Sequence, residues 1–178
     1  MLKIFNDLSP FFGDCYVQFT IREYARWRKI SPPTASKWLN SYARQKLLLK
    51  TKGRNMLLFS ANRTNQFFIK LSQLYWFSKL TEIGLLEFLN DEFVHPLIIL
   101  FGSLAKAETT KNSDVDIAII TSVKSKPETH LHIFEKKLKR NIQLFIFPSL
   151  SKIPSNLKPN ILNGYVLSGK WRSLSKKC

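Results

Sequence analysis

Between Ile99 and Ile119 the chain reads ILFGSLAKAETTKNSDVDIAI, and no other stretch limits its fold as tightly. Two apolar runs of strand length, HPLIILF and VDIAII, bound a polar loop. The loop opens with Gly102-Ser103 and closes, after ten intervening residues, on Asp114-Val115-Asp116. Side chains alternate along a strand, so Asp114 and Asp116 project to one side while Val115, Ile117 and Ile119 project to the other. Two carboxylates about 7 Å apart on one face repel unless a cation lies between them. Such a pair suits a hard divalent ion, Mg²⁺ or Mn²⁺, which prefers carboxylate and phosphate oxygens. Gly102 permits close backbone approach to a ligand, and Ser103 offers a hydroxyl and an amide to a phosphate oxygen. An Asp-x-Asp or a Gly-Ser alone is common; the information lies in their joined order between two apolar strands.

Charge supplies the second constraint. The 178 residues suffice for one ordinary domain or two small ones, and 44% hydrophobic content supports packed cores over disorder. Lys and Arg number 28 against 12 Asp and Glu, a net +16. That excess predicts attraction to polyanions, nucleic acid first and an anionic membrane surface second. Residues 1–66 hold 12 basic and 3 acidic groups, net +9, and the other 112 hold 16 and 9, net +7. The front is therefore the more basic part. Two cysteines, Cys15 and Cys178, make no disulfide framework. Neither a secretion signal nor an apolar run long enough to span a membrane is evident, so a cytoplasmic location is expected.

The front has local order. Thr20-Ile21-Arg22-Glu23 has the form of a capping box and opens a helix, ending near Ile30, with Tyr24 and Trp27 on its apolar side. Ser31 caps a second helix with Pro32 at its first position. There Ala35, Trp38, Leu39 and Tyr42 share an inward face, and Lys37, Asn40, Ser41 and Arg44 the opposite one. LLLKTK, a Gly53-Arg54-Asn55 turn and MLLFS then read as a hairpin. The stretch SPPTASKWLNSYARQKLLLKTKGRNMLLF resembles the recognition helix and wing of the winged helix-turn-helix family. The resemblance implies binding to double-stranded DNA, with Lys37, Asn40, Ser41 and Arg44 in the major groove and Lys52 and Arg54 near phosphate.

From Asn62 to Phe93 the sequence is dense in Phe, Leu, Tyr and Trp and reads as one long or two consecutive helices, with the break near Thr81 or Gly84. It carries no recognisable chemistry. Apolar residues on more than one side suit packing against both flanking modules or a second copy of the chain.

FGSLAKAETTKNSDVDIAI is similar, almost without gaps, to the signature of the polymerase β-type nucleotidyltransferases in their minimal forms. NLKPNILNGYVLSGKWRSLSKK looks like the C-terminal segment of archaeal proteins that join a winged helix to such a domain. The resemblance runs from about Thr20 to Trp171. It implies that Gly102 and Ser103 hold a nucleoside triphosphate, with ATP expected, and that Asp114 and Asp116 bind Mg²⁺ bridging its phosphates and carry catalysis. Two positions depart from the family pattern. Ala107 stands where these forms usually have glycine. The third carboxylate, expected on a later strand, falls in RNIQLFIF at Gln143, whose amide carries no charge and cannot serve as a base. Glu108 and Glu135 are the available substitutes.

The expected architecture is an α/β (α+β) nucleotidyltransferase-like domain with a mixed sheet at 95–178, a helical connector at 62–94 and a winged helix-turn-helix at 1–61. The expected function is Mg²⁺-dependent transfer of a nucleoside monophosphate from an NTP to a hydroxyl acceptor. The alternative is a DNA-binding transcriptional regulator whose nucleotidyltransferase domain binds nucleotide with impaired catalysis; Gln143 leaves enzymatic activity open. A weaker third reading is action on a protein partner, as by antitoxins of this family, and a homodimer is compatible. His130 and His132, two apart on a helix, face different ways and lack a third ligand for zinc. Lys136, Lys137, Lys139 and Arg140 read as a solvated basic face that could also meet a nucleic-acid acceptor.

Overall fold

A computed structural model of the chain describes residues 3–53, 56–93, 95–122 and 128–170. It consists of two compact units, Met1–Tyr75 with Ala107–Lys111, and Trp76–Lys106 with Asn112–Cys178.

The first unit opens with helix α1, Lys3–Gly13. Pro10 lies inside it and has no N–H to give to the carbonyl of Asn6; the Ser9 hydroxyl bonds that carbonyl instead, at 3.1 Å. A short strand β1, Gln18–Thr20, leads into α2, Ile21–Arg28. Thr20 and Glu23 form the complete capping box, and Lys29 closes the helix in the left-handed conformation. Helix α3, Pro32–Arg44, starts on Ser31, whose Oγ accepts from the Thr34 N–H. Strands β2, Leu48–Gly53, and β3, Met56–Ala61, form an antiparallel hairpin, and β1 adds on the far side of β3. The helix pair and hairpin thus lie at the residues expected of them. Arg54 falls outside the described residues.

Aromatic side chains fill this unit. Phe5, Leu8, Phe11 and Phe12 on α1 are buried with Tyr24, Leu39, Phe59 and Phe68, each large side chain contributing about 1.5–3 kcal/mol by leaving water. Trp38 and Tyr42 are half-buried against this core. Trp27 departs from expectation: it remains 45% exposed and packs beside the Phe19 and Tyr24 rings at 6.4 and 6.0 Å. Periodicity gave its side of the helix correctly, but the core ends before reaching it.

The core also holds an acid. Asp7 on α1 is wholly buried and accepts from Arg28 at 3.0 Å and from the Tyr42 hydroxyl at 2.8 Å. The Tyr24 hydroxyl donates to the Asp7 carbonyl at 2.8 Å. One residue thereby ties α1 to α2 and α3. Burial first, then the hydrogen bond and charge of Asp7, push the Tyr42 phenol well above its ordinary range.

Helix α4, Gln66–Glu82, runs through the division between Tyr75 and Trp76. Gly84, at φ +84°, separates it from α5, Leu85–Glu92, so the long apolar segment is two helices broken at the glycine. In the second unit β4, Leu97–Phe101, leads directly into the short helix α6, Gly102–Lys106. Then come β5, Val115–Ile120, α7, Glu128–Leu138, and β6, Ile142–Phe147. A 3-10 turn at Leu150–Lys152, helix α8, Lys158–Leu162, and strand β7, Tyr165–Ser168, complete the unit. The sheet order is β6-β5-β4-β7, with β5 and β6 parallel and the other pairs antiparallel, so the sheet is mixed. Every residue of β4 is buried. Ile99, Phe101, Ala118 and Ile120 pack on one face with Ile153 and Ile161, while Ile98, Leu100, Ile117 and Ile119, in alternate positions, are buried as well.

No described helix is long and apolar enough to cross a membrane.

Candidate functional site

Strand register assembles the site. Phe101 on β4, Asp116 on β5 and Gln143 on β6 are paired across three neighbouring strands, and the chain turns into Gly102 one residue beyond Phe101. Asp114 immediately precedes β5. The alternation read from the sequence holds here: Asp114 and Asp116 are half-buried, while Val115 and Ile117 are fully buried.

Gly102 has a positive φ of +70°, and a Cβ added to it would overlap Asp116 Oδ2 and lie 3.1 Å from Asp116 Cγ. What approaches this glycine closely is therefore the carboxylate of Asp116, a neighbour the sequence did not disclose. Ser103 follows on α6 and is half-buried. Burial, and secondarily the charge of Asp114, raises the carboxyl of Asp116 above the usual carboxylate range. No described lysine or arginine forms an ion pair with either aspartate.

Asp114 is held by amides. Gln143 Nε2 donates to its Oδ2 at 2.6 Å, and Asn141 Nδ2 donates to its Oδ1 at 3.2 Å. An ionised carboxylate only accepts, so the amide nitrogens must face it. The backbone next to Asp114 is fixed too: Arg140 Nη1 donates to the Ser113 carbonyl at 2.6 Å, and its guanidinium lies 5.3 Å from the Trp76 ring. Arg140, half-buried, thus departs from the solvated basic run read from the sequence; Lys137 stays exposed, its Nζ donating to the Ile83 carbonyl at 3.2 Å.

Neither substitute for the missing third carboxylate is brought to the pair. Glu135 accepts from the Ile142 N–H at 2.9 Å, capping the start of β6. Glu108 is exposed and belongs to the first unit's segment Ala107–Lys111. Ala107 is buried at φ +55°, which explains why a glycine would suit that position; an L-residue there carries roughly 1–2 kcal/mol of backbone strain. His130 lies beside the Phe88 ring, 6.0 Å between centroids.

Among the described residues no three or more His, Cys, Asp or Glu side chains gather in a way that could hold a metal ion. Two carboxylates nevertheless suit one Mg²⁺, which commonly takes one or two of them together with substrate phosphates and water.

On the first unit, Lys37 and Arg44 are exposed on α3, and Lys52 is exposed on β2. Ser41 is half-buried and its Oγ accepts from Gln45 Nε2 at 3.2 Å. Asn40 is occupied within the unit, donating to the Ser36 carbonyl at 2.8 Å and accepting from Lys50 Nζ at 2.8 Å. Lys50 thus joins the hairpin to the polar face of α3. A feature the sequence reading missed is an open groove of about 600 Å³ lined by Arg22, Arg26 and Lys29 over Ala25, Ile30 and Pro32. The signal was present, because positions 22, 26 and 29 share one helix face at i, i+4 and i+7.

Nucleotidyltransferase domains in general use a divalent metal and an NTP, and a glycine-serine pair at the start of α6, with Gly102 close to Asp116, is compatible with both. No curated protein and no solved structure matches the chain. Residues 85–170 match the model of the family described as Polymerase beta, Nucleotidyltransferase, and this part of the chain, mixed sheet and aspartate pair included, is nucleotidyltransferase-like.

Proposed function

We propose that the chain binds a nucleoside triphosphate with Mg²⁺ or Mn²⁺ at Gly102, Ser103, Asp114 and Asp116 and transfers its nucleoside monophosphate to a hydroxyl acceptor. The observation that carries this reading is the convergence of Gly102 on Asp116 beside Asp114, within a stretch that matches the nucleotidyltransferase model. The cation, when bound, neutralises charge on the phosphates in the transition state. Asp114 and Asp116 hold it on their shared face, and Ser103 supplies a hydroxyl and an amide toward phosphate oxygen. Gln143 supplies no base, so the acceptor's proton passes to solvent or to a group on the acceptor itself. Transfer is therefore slow in comparison with a site bearing a third carboxylate.

In this proposal the first unit is a winged helix-turn-helix that docks on double-stranded DNA. Lys37, Asn40, Ser41 and Arg44 face the groove, Lys52 and Arg54 meet phosphate, and Arg22, Arg26 and Lys29 add a further cationic strip. The exposed basic residues and the front's net +9 support this, and the Lys50–Asn40 bond orients the polar face of α3.

The Gln143–Asp114 hydrogen bond favours a second reading, in which the nucleotide is a ligand and the chain is a DNA-binding regulator. Pyrophosphate release from each NTP, with Mg²⁺ or Mn²⁺ and with mixed nucleic acid and cell extract as acceptors, separates the two. Release that Asp114→Asn/Asp116→Asn lacks establishes transfer; nucleotide binding without release leaves the regulator. DNA docking predicts a steep loss of affinity with salt, weakened when Lys37, Arg44 and Arg54 are neutralised, with a slope that flattens by about one unit for each phosphate contact removed, as at Lys52 or Arg54. Salt-independent binding would end that part of the proposal.

A further inference from the structure

We infer that this site takes one divalent cation per bound nucleotide instead of two, because Gln143 and Asn141 occupy Asp114 where a second ion would need a third carboxylate. The inference rests on the nucleotide-binding reading above and concerns the chain's own donor set.

Two ions about 3.5–4 Å apart, one on the phosphates and one on the acceptor oxygen, require anionic ligands on both sides. Among the described residues this site offers Asp114 and Asp116 and no third acidic group. Among the described residues no larger His, Cys, Asp and Glu cluster forms, and Glu135 is committed to the Ile142 N–H. The strand position level with Asp116 is filled by Gln143, whose nitrogen points at Asp114. Its side-chain oxygen could meet a cation only by turning the amide over, giving up the 2.6 Å bond and setting its oxygen toward the carboxylate. Asn141, just before β6, holds the other oxygen of Asp114 at 3.2 Å, so its amide and that of Gln143 both restrain this carboxylate. Gly102 confines Asp116 from the opposite side. The two aspartates supply carboxylate ligands for one divalent ion. With the nucleotide's phosphates completing its shell, that ion is the one the pair retains, and the acceptor-side ion is the one lost.

The ratio of bound Mn²⁺ to bound non-hydrolysable ATP analogue, measured by equilibrium dialysis of the full chain, tests this without reference to activity. The expected ratio is one in the unaltered chain, one in Gln143→Ala and two in Gln143→Asp. A ratio of two in the unaltered chain would overturn the inference while leaving nucleotide binding intact. Absence of nucleotide binding would overturn the proposed function and this inference together. A folded Gln143→Asp chain that stays at one would overturn the assignment of the deficit to Gln143, and if that variant does not fold, the ratio in the unaltered chain alone decides.

Discussion

Each unit places acid where water is scarce, and the two treat it in opposite ways. In the first, Asp7 is fully buried yet provided for by the chain itself, with Arg28 at 3.0 Å and the Tyr42 hydroxyl at 2.8 Å. In the second, Asp114 and Asp116 are only half-buried and stand close in sequence; amides hold Asp114, and among the described residues no lysine or arginine pairs with either. A buried carboxylate that the fold neutralises is part of its architecture. Asp116, by contrast, is partly desolvated beside a second carboxylate, and under the proposed function a bound cation would supply the neutralising charge.

The sharpest way to break this contrast is to remove the internal cation. Arg28→Met leaves Asp7 buried and unpaired, and is expected to lower unfolding free energy by about 3–5 kcal/mol, read from urea unfolding. Adding Asp7→Asn to that variant removes the stranded charge and should recover much of the loss. Equal stability of the single and double variants would show that Asp7 does not depend on Arg28. Tyr42→Phe, which deletes one hydrogen bond to the charged group, should cost about 1.5–3 kcal/mol by the same measurement.

The second unit should answer with the opposite sign. The folded-state carboxyl of Asp116 titrates above its unfolded value, so its contribution to stability is complete below the unfolded value and lost as pH rises through the folded one. Ionised Asp116 therefore weakens the metal-free fold at neutral pH. Asp116→Asn should stabilise the fold slightly at pH 7, by less than about 1 kcal/mol since the group is half-exposed and screened, read as a small rise in the thermal midpoint. The gain should vanish below the carboxylate range. A lowered midpoint at pH 7 would mean that Asp116 serves the fold as Asp7 does.

The parts legible in the sequence were those encoded over short distances. The capping box at Thr20–Glu23, the Ser31-Pro32 helix start, the hairpin around Gly53 and the break at Gly84 all follow from local stereochemistry. The aspartate pair was equally readable, because alternation along a single strand decides it, and Gln143 was found from the apolar residues around it. The Asp7 network was not readable. Its partners lie 21 and 35 residues away, and Asp7 in KIFNDLSP looks like an ordinary surface acid until three helices close around it. The direction of the Gln143 amide was hidden for the same reason, since it depends on what stands across a parallel strand pair. Trp27 shows a different limit, because helical periodicity reports which side a residue faces and not where the core stops.

The short segment Ala107–Lys111 belongs to the first unit although the chain on both sides of it belongs to the second. Within the first unit Ala107 is buried and the Thr109 carbonyl accepts from the Cys15 N–H at 2.7 Å. The first unit therefore takes part of its interior from residues that follow Tyr75 by more than thirty positions, and a fragment ending at Tyr75 would lack that piece.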